Sequence, residues 1–433
     1  MNARELAINV LYKIEFGEGY SNVTLDKELN KSDLDYVDKA FASELVYGVL
    51  TWKITIDEII KMYSSIKIKK ISPWILNILR IGIYQIAFLD KVPESAAVNE
   101  SVKLAKQYGH EASSKFVNAI LRKIEKNEME KLLAYMSTKP MLEDEIISIV
   151  TSHPLWLVDE LLKDYDKKFV TEFLNANNMT PEITIRSNRL VNSRDELYKL
   201  LLLRKFDCRK GNLPDSIKVK KMTDFKNKLY TVQDEAAQLA CLKLNPQAGE
   251  EVLDACSAPG GKTTYLAEIM QNKGEIIAWD IHPHRVRLVE EAAQKLDISI
   301  IHAMVHDATV YMPNYKERFD KILLDVPCSG IGVIRKKPDI KWTRKPEDFE
   351  ELTRTQEKIL DACSEYLKHG GRMVYSTCTV FKRENEEQVE RFLLTHSDFK
   401  LVEKVKLFPN VNDTDGFFIA VLERKWKILE IIV

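Results

Sequence analysis

No two of the six cysteines (Cys208, Cys241, Cys256, Cys328, Cys363 and Cys378) form a Cys-x-x-Cys pair. That absence argues against a zinc ribbon or a thioredoxin-like site. No clustered histidine or further cysteine completes a four-ligand set, so no metal is expected. Six thiols in 433 residues fit a reducing cytoplasm better than a disulfide framework. A long apolar run is also lacking. The most apolar stretch, residues 71–89, is broken by Asn77 and Arg80, whereas a membrane span needs about 20 clean apolar residues. Arg4 and Glu5 stand where a secretory signal needs an apolar run, so a cytoplasmic protein without a membrane partner is expected. Charge of one sign is lacking too. The chain has 64 Lys and Arg against 65 Asp and Glu, a net charge of −1, so any surface for nucleic acid must be local. There is no internal repeat, no low-complexity tract, and no heptad or exposed apolar stripe that calls for a dimer. A monomer is the expectation.

What is present is a globular composition, 45% hydrophobic and 30% charged. The length suggests about three domains of roughly 150 residues. Residues 1–127 predict an all-α bundle. Ala3, Leu6, Ala7, Val10, Leu11 and Ile14 recur at helical spacing, and residues 74–89 are apolar over much of the circumference, as in a central bundle helix. Residues 128–180 predict a mixed-charge helical connector punctuated by Pro140, Pro154 and Pro181. Residues 181–228 change to a small α+β segment, with alternating strands near 182–186 and 217–220 around a helix at 197–203. This segment holds 13 Lys and Arg against 6 Asp and Glu. In a chain of net charge −1, so local an excess points to a polyanion partner.

Residues 229–433 alternate strand and helix, which specifies a doubly wound, Rossmann-like α/β domain. Strands are expected at 252–255, 275–280, 299–305, 321–325 and 371–375. Segments 399–402 and 417–422 should close the chain as an antiparallel pair. Ligands on such sheets bind at the carboxyl ends of the strands.

The first strand runs into Asp254-Ala-Cys256-Ser257-Ala258-Pro259-Gly260-Gly261-Lys262-Thr263 and then a helix. Glycines there let the backbone approach a ligand, and the helix N-terminus favours an anionic group. The turn is not Gly-x-Gly-x-x-Gly. It is not a phosphate-binding P-loop either, because the required earlier glycine falls on Cys256. Asp280 ends the second strand about 20 residues on, where a carboxylate meets a ribose diol. Asp307 follows the third strand and can accept a bond from an amino group. The fourth strand ends in Asp325-Val-Pro-Cys328-Ser-Gly330 and the fifth in Ser376-Thr-Cys378-Thr379. Neighbouring strands thus deliver two cysteines and an acid to one edge. Arg335, Lys336, Lys337, Lys341 and Trp342 follow, and can hold an RNA backbone and stack a base.

These residues resemble the RNA (cytosine-5) methyltransferases that use S-adenosylmethionine. Residues 92–102 and 116–122 resemble the NusB family of RNA-binding domains, with Lys67, Lys69 and Lys70 as candidate contacts. Together the two likenesses narrow the resemblance to the Sun/RsmB branch, which modifies 16S rRNA. Ser257 in place of the usual alanine and the tail 426–433 depart from the pattern. The resemblance implies an all-α NusB-like bundle, an RNA-binding segment and a class I methyltransferase domain. It implies Cys378 as nucleophile and Cys328 as the residue assisting release; position alone leaves this open, since DNA cytosine methyltransferases attack with the Pro-Cys thiol. Asp325 would bond the cytosine edge and border the cofactor. The cofactor's methionine end would lie over residues 256–262, its ribose on Asp280 and its adenine by Asp307. Lys262 or the sulfonium would favour the thiolate. The rival readings are a tRNA cytosine-5 methyltransferase and a non-catalytic RNA-binding assembly factor. The latter predicts a damaged cofactor loop or a missing cysteine, and neither is present.

Overall fold

The structure, a computed structural model, describes residues 1–16, 21–221 and 228–426. The chain divides into two compact units. The first comprises Met1–Met179 with Lys336–Thr343, the second Thr180–Arg335 with the chain from Arg344 onward. Residues 222–227 of the basic segment and 427–433 of the tail lie outside the described residues.

The first unit is all helix: α1 (Ala3–Glu15), α2 (Ser21–Lys31), α3 (Tyr36–Tyr63), α4 (Pro73–Phe88), α5 (Glu94–Gln107), α6 (Glu111–Leu121), α7 (Glu128–Met136), α8 (Glu143–Val150), α9 (Leu155–Asp164) and α10 (Lys167–Asn177). Helix α4 is buried on every side between Ile75 and Ile86, as its uniform apolarity predicts. The two polar residues that interrupt it are paired inside the bundle. Arg80 donates to both Asp57 oxygens at 2.8 and 2.9 Å and to Asn77 at 3.0 Å, with Glu15 3.4 Å away. Arg80 is 3% exposed, so its charge depends on these acceptors. Asp57→Ala is expected to cost about 3 kcal/mol or more in a denaturant titration, because it strands a buried guanidinium.

Residues 128–179, read from the sequence as a connector, form part of this unit, with α7 and α8 packed on α3. So do residues 336–343, which include the short helix α15 (Ile340–Thr343). This corrects the reading of Lys341 and Trp342 as RNA contacts. The Lys341 amine is buried and donates to the carbonyls of Thr51 and Ser152 and to Asn178 Oδ1, at 3.0, 3.1 and 2.8 Å. Burial pushes its pKa well below the ordinary lysine value. The Trp342 ring packs against the bundle core and donates its N–H to Leu50 O at 2.9 Å. Neither side chain is available to a base. Lys67, Lys69 and Lys70 sit on one exposed turn.

The second unit begins with a four-stranded antiparallel sheet in the order β2-β3-β1-β4, built from β1 (Ile183–Ser187), β2 (Cys208–Lys210), β3 (Ser216–Val219) and β4 (Tyr230–Val232), with α11 (Arg194–Leu203) packed on it. The basic excess here is largely spent on carboxylates of the protein itself. Arg189 pairs with Asp215, Arg209 with Glu182 and Asp413, Lys210 with Asp195, Lys218 with Asp413, Lys220 with Asp207 and Lys228 with Asp297. Arg186 is fully buried against Glu268. A count of charges within the segment misses partners that lie far along the chain, such as Glu268, Asp297 and Asp413.

Next comes α12 (Glu235–Leu244) and the seven-stranded sheet. Its strands are β5 (Glu251–Asp254), β6 (Glu275–Asp280), β7 (Ile301–Val305), β8 (Phe319–Asp325), β9 (Leu367–Thr377), β10 (Phe399–Leu407) and β11 (Phe417–Arg424). Between them lie α13 (Gly261–Ile269), α14 (Pro283–Lys295), α16 (Asp348–Ser364) and α17 (Glu386–Thr395). The order is β10-β11-β9-β8-β5-β6-β7. Strands β5 to β9 are parallel, and β10 and β11 add the antiparallel pair that the sequence predicts. The order reverses between β5 and β8, so the crevice for a ligand opens at their carboxyl ends. Among the described residues, no helix is long and apolar enough to cross a membrane.

Candidate active site

A cavity of about 360 Å³ lies at the carboxyl ends of these strands. Its wall brings together Cys256, Ala258, Asp280, Asp307, Asp325, Cys328 and Cys378, all predicted from sequence. The remaining predicted residues of the glycine turn, Ser257, Pro259, Gly260, Gly261 and Lys262, are not part of this wall, and they shape it from behind. Ser257 Oγ donates to Trp279 O at 2.9 Å, tying the turn to β6. Gly260 has φ +98°, and a Cβ there would lie 3.1 Å from the Val289 backbone. The conformation favours glycine, and the space for a side chain is tight. Arg186, one of the basic residues assigned above to a polyanion, donates to Gly261 O at 2.9 Å and to Glu268 at 2.6 Å. It anchors the start of α13 from the neighbouring small sheet.

Asp254 ends β5 beneath the turn. Its Oδ2 accepts from Thr263 Oγ1 at 2.7 Å, and its Oδ1 is buried without a side-chain partner. Burial raises its pKa to about 7, against the opposing bond from Thr263. Asp280 is 6% exposed; one oxygen accepts from His282 N at 3.1 Å and the other lies 3.4 Å from Arg285. It is both a turn residue and a cavity residue. Asp307 Oδ1 accepts from the Thr309 hydroxyl at 2.7 Å and the Thr309 amide at 2.9 Å, which holds its pKa below the usual value.

Register explains how the acid and the two thiols meet. Asp325 pairs with Ser376 across the parallel β8–β9 ladder, so the loops that follow leave the sheet side by side. Asp325 Oδ1 accepts from Ser376 Oγ at 2.9 Å, and Oδ2 accepts from Lys262 Nζ at 2.7 Å. Burial disfavours the Lys262 charge, but the Asp325 carboxylate more than offsets it, so the amine stays above its ordinary value. Lys262 thus acts on the site through Asp325. Beyond Asp325, the Cys328 and Cys378 sulfurs lie 3.2 Å apart.

The thiols differ in setting. Cys328 is buried and Cys378 is half-buried. The contact with Cys378, followed by burial, pushes the Cys328 thiol well above its ordinary pKa. Burial does the same to Cys256, to Cys241 at about 12, and to Cys363. A buried thiol held protonated is a poor nucleophile. Cys378, by contrast, is only partly buried.

Residues beyond the sequence reading hold this edge. Arg344 donates to the carbonyls of Ser329 and Cys328 at 3.0 and 3.2 Å. Gly332 N donates to Cys378 O at 3.0 Å. A Cβ on Gly332 would lie 1.9 Å from Gly416 O, so the two glycines permit the chain crossing beside the thiols. Arg335 lies against Asp415 at 3.2 Å and Asp234 at 3.8 Å, a structural pairing rather than a free RNA contact. Among the described residues, no group of three or more His, Cys, Asp or Glu is placed to hold a metal ion.

Comparison with known proteins agrees with this architecture. Three family profiles match in succession. They are the NusB family over residues 1–126, the ferredoxin-like domain of RsmF/B-like methyltransferases over 153–226, and the 16S rRNA methyltransferase RsmB/F over 241–423. The chain is 37% identical to a probable ribosomal RNA small subunit methyltransferase B of Bacillus subtilis, covering 98% of this chain and 99% of that protein. It is 36% identical to the corresponding probable enzyme of Synechocystis, covering 98% and 100%. The solved structure of the protein designated PH0851 superposes with a TM-score of 0.79 at 27% identity, covering 98% and 99% of the two chains. A methyltransferase homologue from Pyrococcus horikoshii gives a TM-score of 0.57 at 25% identity, over 66% of this chain and 100% of that one.

Proposed function

The chain belongs to the RsmB family of ribosomal RNA small subunit methyltransferases, and from that premise we propose that it methylates C5 of a cytidine in 16S rRNA through a covalent Cys378–C6 adduct. The observation that carries the reading is the pair of thiols 3.2 Å apart beside Asp325 at the edge of the cavity. The cofactor is S-adenosylmethionine, and the cavity fits it. Asp280 and Asp307 present carboxylate oxygens suited to ribose hydroxyls and an adenine amino group, and the three acids of the wall, with Asp325, suit a cationic ligand. Cys256 and Ala258 are the residues of the glycine turn that would touch its methionine end. When bound, it supplies an electrophilic methyl group.

Carbon 5 of cytosine is a weak nucleophile. Addition of the Cys378 thiolate to C6 makes C5 enamine-like, and thus able to take up the methyl group. Asp325, fixed by Lys262 and Ser376, accepts from the N4 amino group and holds the ring over the thiol. After methylation the C5 proton passes to water, the C5–H electrons restore the C5–C6 double bond, and the S–C6 bond breaks toward Cys378. The protonated Cys328 thiol, at 3.2 Å, donates a hydrogen bond to the departing sulfur. The target cytidine must leave its stack to enter, which favours a loop over a duplex.

Tritium release tests the position of transfer. Ribosomal RNA labelled with tritium at C5 of cytidine should lose one tritium for every methyl group gained. Methylation with full retention of tritium would reject C5 as the acceptor.

A further inference from the structure

The two cysteine loops are held from behind by two consecutive side chains. Glu384 is fully buried, and its carboxylate accepts from the Ser329 amide at 2.8 Å and the Ser329 hydroxyl at 2.5 Å. It also accepts from Gln356 Nε2 at 3.0 Å, and that same nitrogen donates to Pro327 O at 2.9 Å. The residues before and after Cys328 are therefore both tied to Glu384. Asn385, also fully buried, accepts from Thr377 Oγ1 at 2.5 Å and donates to Thr379 O at 3.1 Å. The residues before and after Cys378 are both tied to Asn385. The Ser329 and Thr379 hydroxyls lie 2.8 Å apart and join the loops directly.

Resting on the reading of the site given above, we propose that Glu384 and Asn385 are positioning residues that assign the thiols separate parts. Glu384 fixes Cys328 for adduct release, and Asn385 fixes Cys378 for attack. One peptide bond separates the two anchors, so the spacing of the loops is set by covalent geometry rather than by the flexible thiols. The chemistry of Glu384 supports the division. A glutamine would fill the same space at lower desolvation cost. The carboxylate adds a negative charge facing Cys328, which, after the Cys378 contact and burial, further disfavours its thiolate. A protonated Cys328 is what release requires, since its S–H must donate to the departing sulfur.

The test uses the full-length protein with 16S rRNA and S-adenosylmethionine, comparing Glu384→Gln, Asn385→Ala and Cys328→Ala on a denaturing gel alongside methyl incorporation. Glu384→Gln should slow turnover about tenfold while the covalent protein–RNA band rises, as in Cys328→Ala. Asn385→Ala should lose turnover and band together. Ser329→Ala, which removes one hydroxyl, should give a weaker form of the Glu384→Gln result. In the free protein, alkylation of Cys328 by iodoacetamide should begin at lower pH in Glu384→Gln than in wild type. A purely structural role would not separate the variants in this way. A band in Cys328→Ala with equal loss of band in Glu384→Gln and Asn385→Ala would overturn the division while leaving the reaction standing. No band in Cys328→Ala would count against the reaction itself, and an unshifted alkylation profile in Glu384→Gln would then overturn the Glu384 assignment independently.

Discussion

Cys378→Ala is expected to lower methyl transfer by at least about a thousandfold, the scale seen when a covalent nucleophile is removed. Cofactor affinity should change little, because Cys378 is one of many cavity residues and the acids assigned to the cofactor are untouched. The loss should therefore appear in kcat. No covalent band should form with this variant. Alanine keeps the half-buried position free of a new polar group, so folding should be preserved, and a thermal melt checks this. The contrast with the buried cysteines is sharp. Cys241 and Cys363 are fully buried, and replacing either by alanine should affect packing rather than chemistry.

Asp325→Asn is expected to reduce kcat by about a hundredfold, the cost of one positioned electrostatic partner in a water-poor site. Two losses combine. The cytosine edge faces an amide in place of a carboxylate, and Lys262 keeps its charge without its 2.7 Å counterion. The second loss also bears on stability, since a partly buried cation is left unpaired. Lys262→Met separates the two. It removes the cation but leaves the carboxylate held by Ser376, so it should retain more activity than Asp325→Asn. Equal or greater loss in Lys262→Met, with both proteins folded, would place the lysine rather than the acid next to the substrate.

Much of the second unit was legible in the sequence because its signals are local. Strand–turn–helix alternation located β5 to β9, and residues at strand ends in a parallel sheet must share an edge. That alone brought Asp325, Cys328 and Cys378 to one cavity. The strand expected at 371–375 begins earlier, at Leu367. There the strand forms because Leu367 finds a partner in Phe319 on β8, which no local pattern can report. The errors in charge have the same cause. Arg186 and Lys341 look like solvated cations along the chain, yet both are interior, one against Glu268 and the other among carbonyl oxygens. Likewise, Lys382-Arg-Glu-Asn-Glu-Glu387 looks like an exposed polar face. The structure turns Glu384 and Asn385 inward to brace the thiols, while their neighbours carry the polar surface.

The central claim is a covalent intermediate through Cys378 with release assisted by Cys328. The most direct measurement mixes Cys328→Ala protein with 16S rRNA and S-adenosylmethionine and resolves the products on a denaturing gel. A retained protein–RNA band, absent when Cys378 is also replaced, is the predicted result. A band from Cys378→Ala and none from Cys328→Ala would contradict the account and exchange the roles of the two thiols.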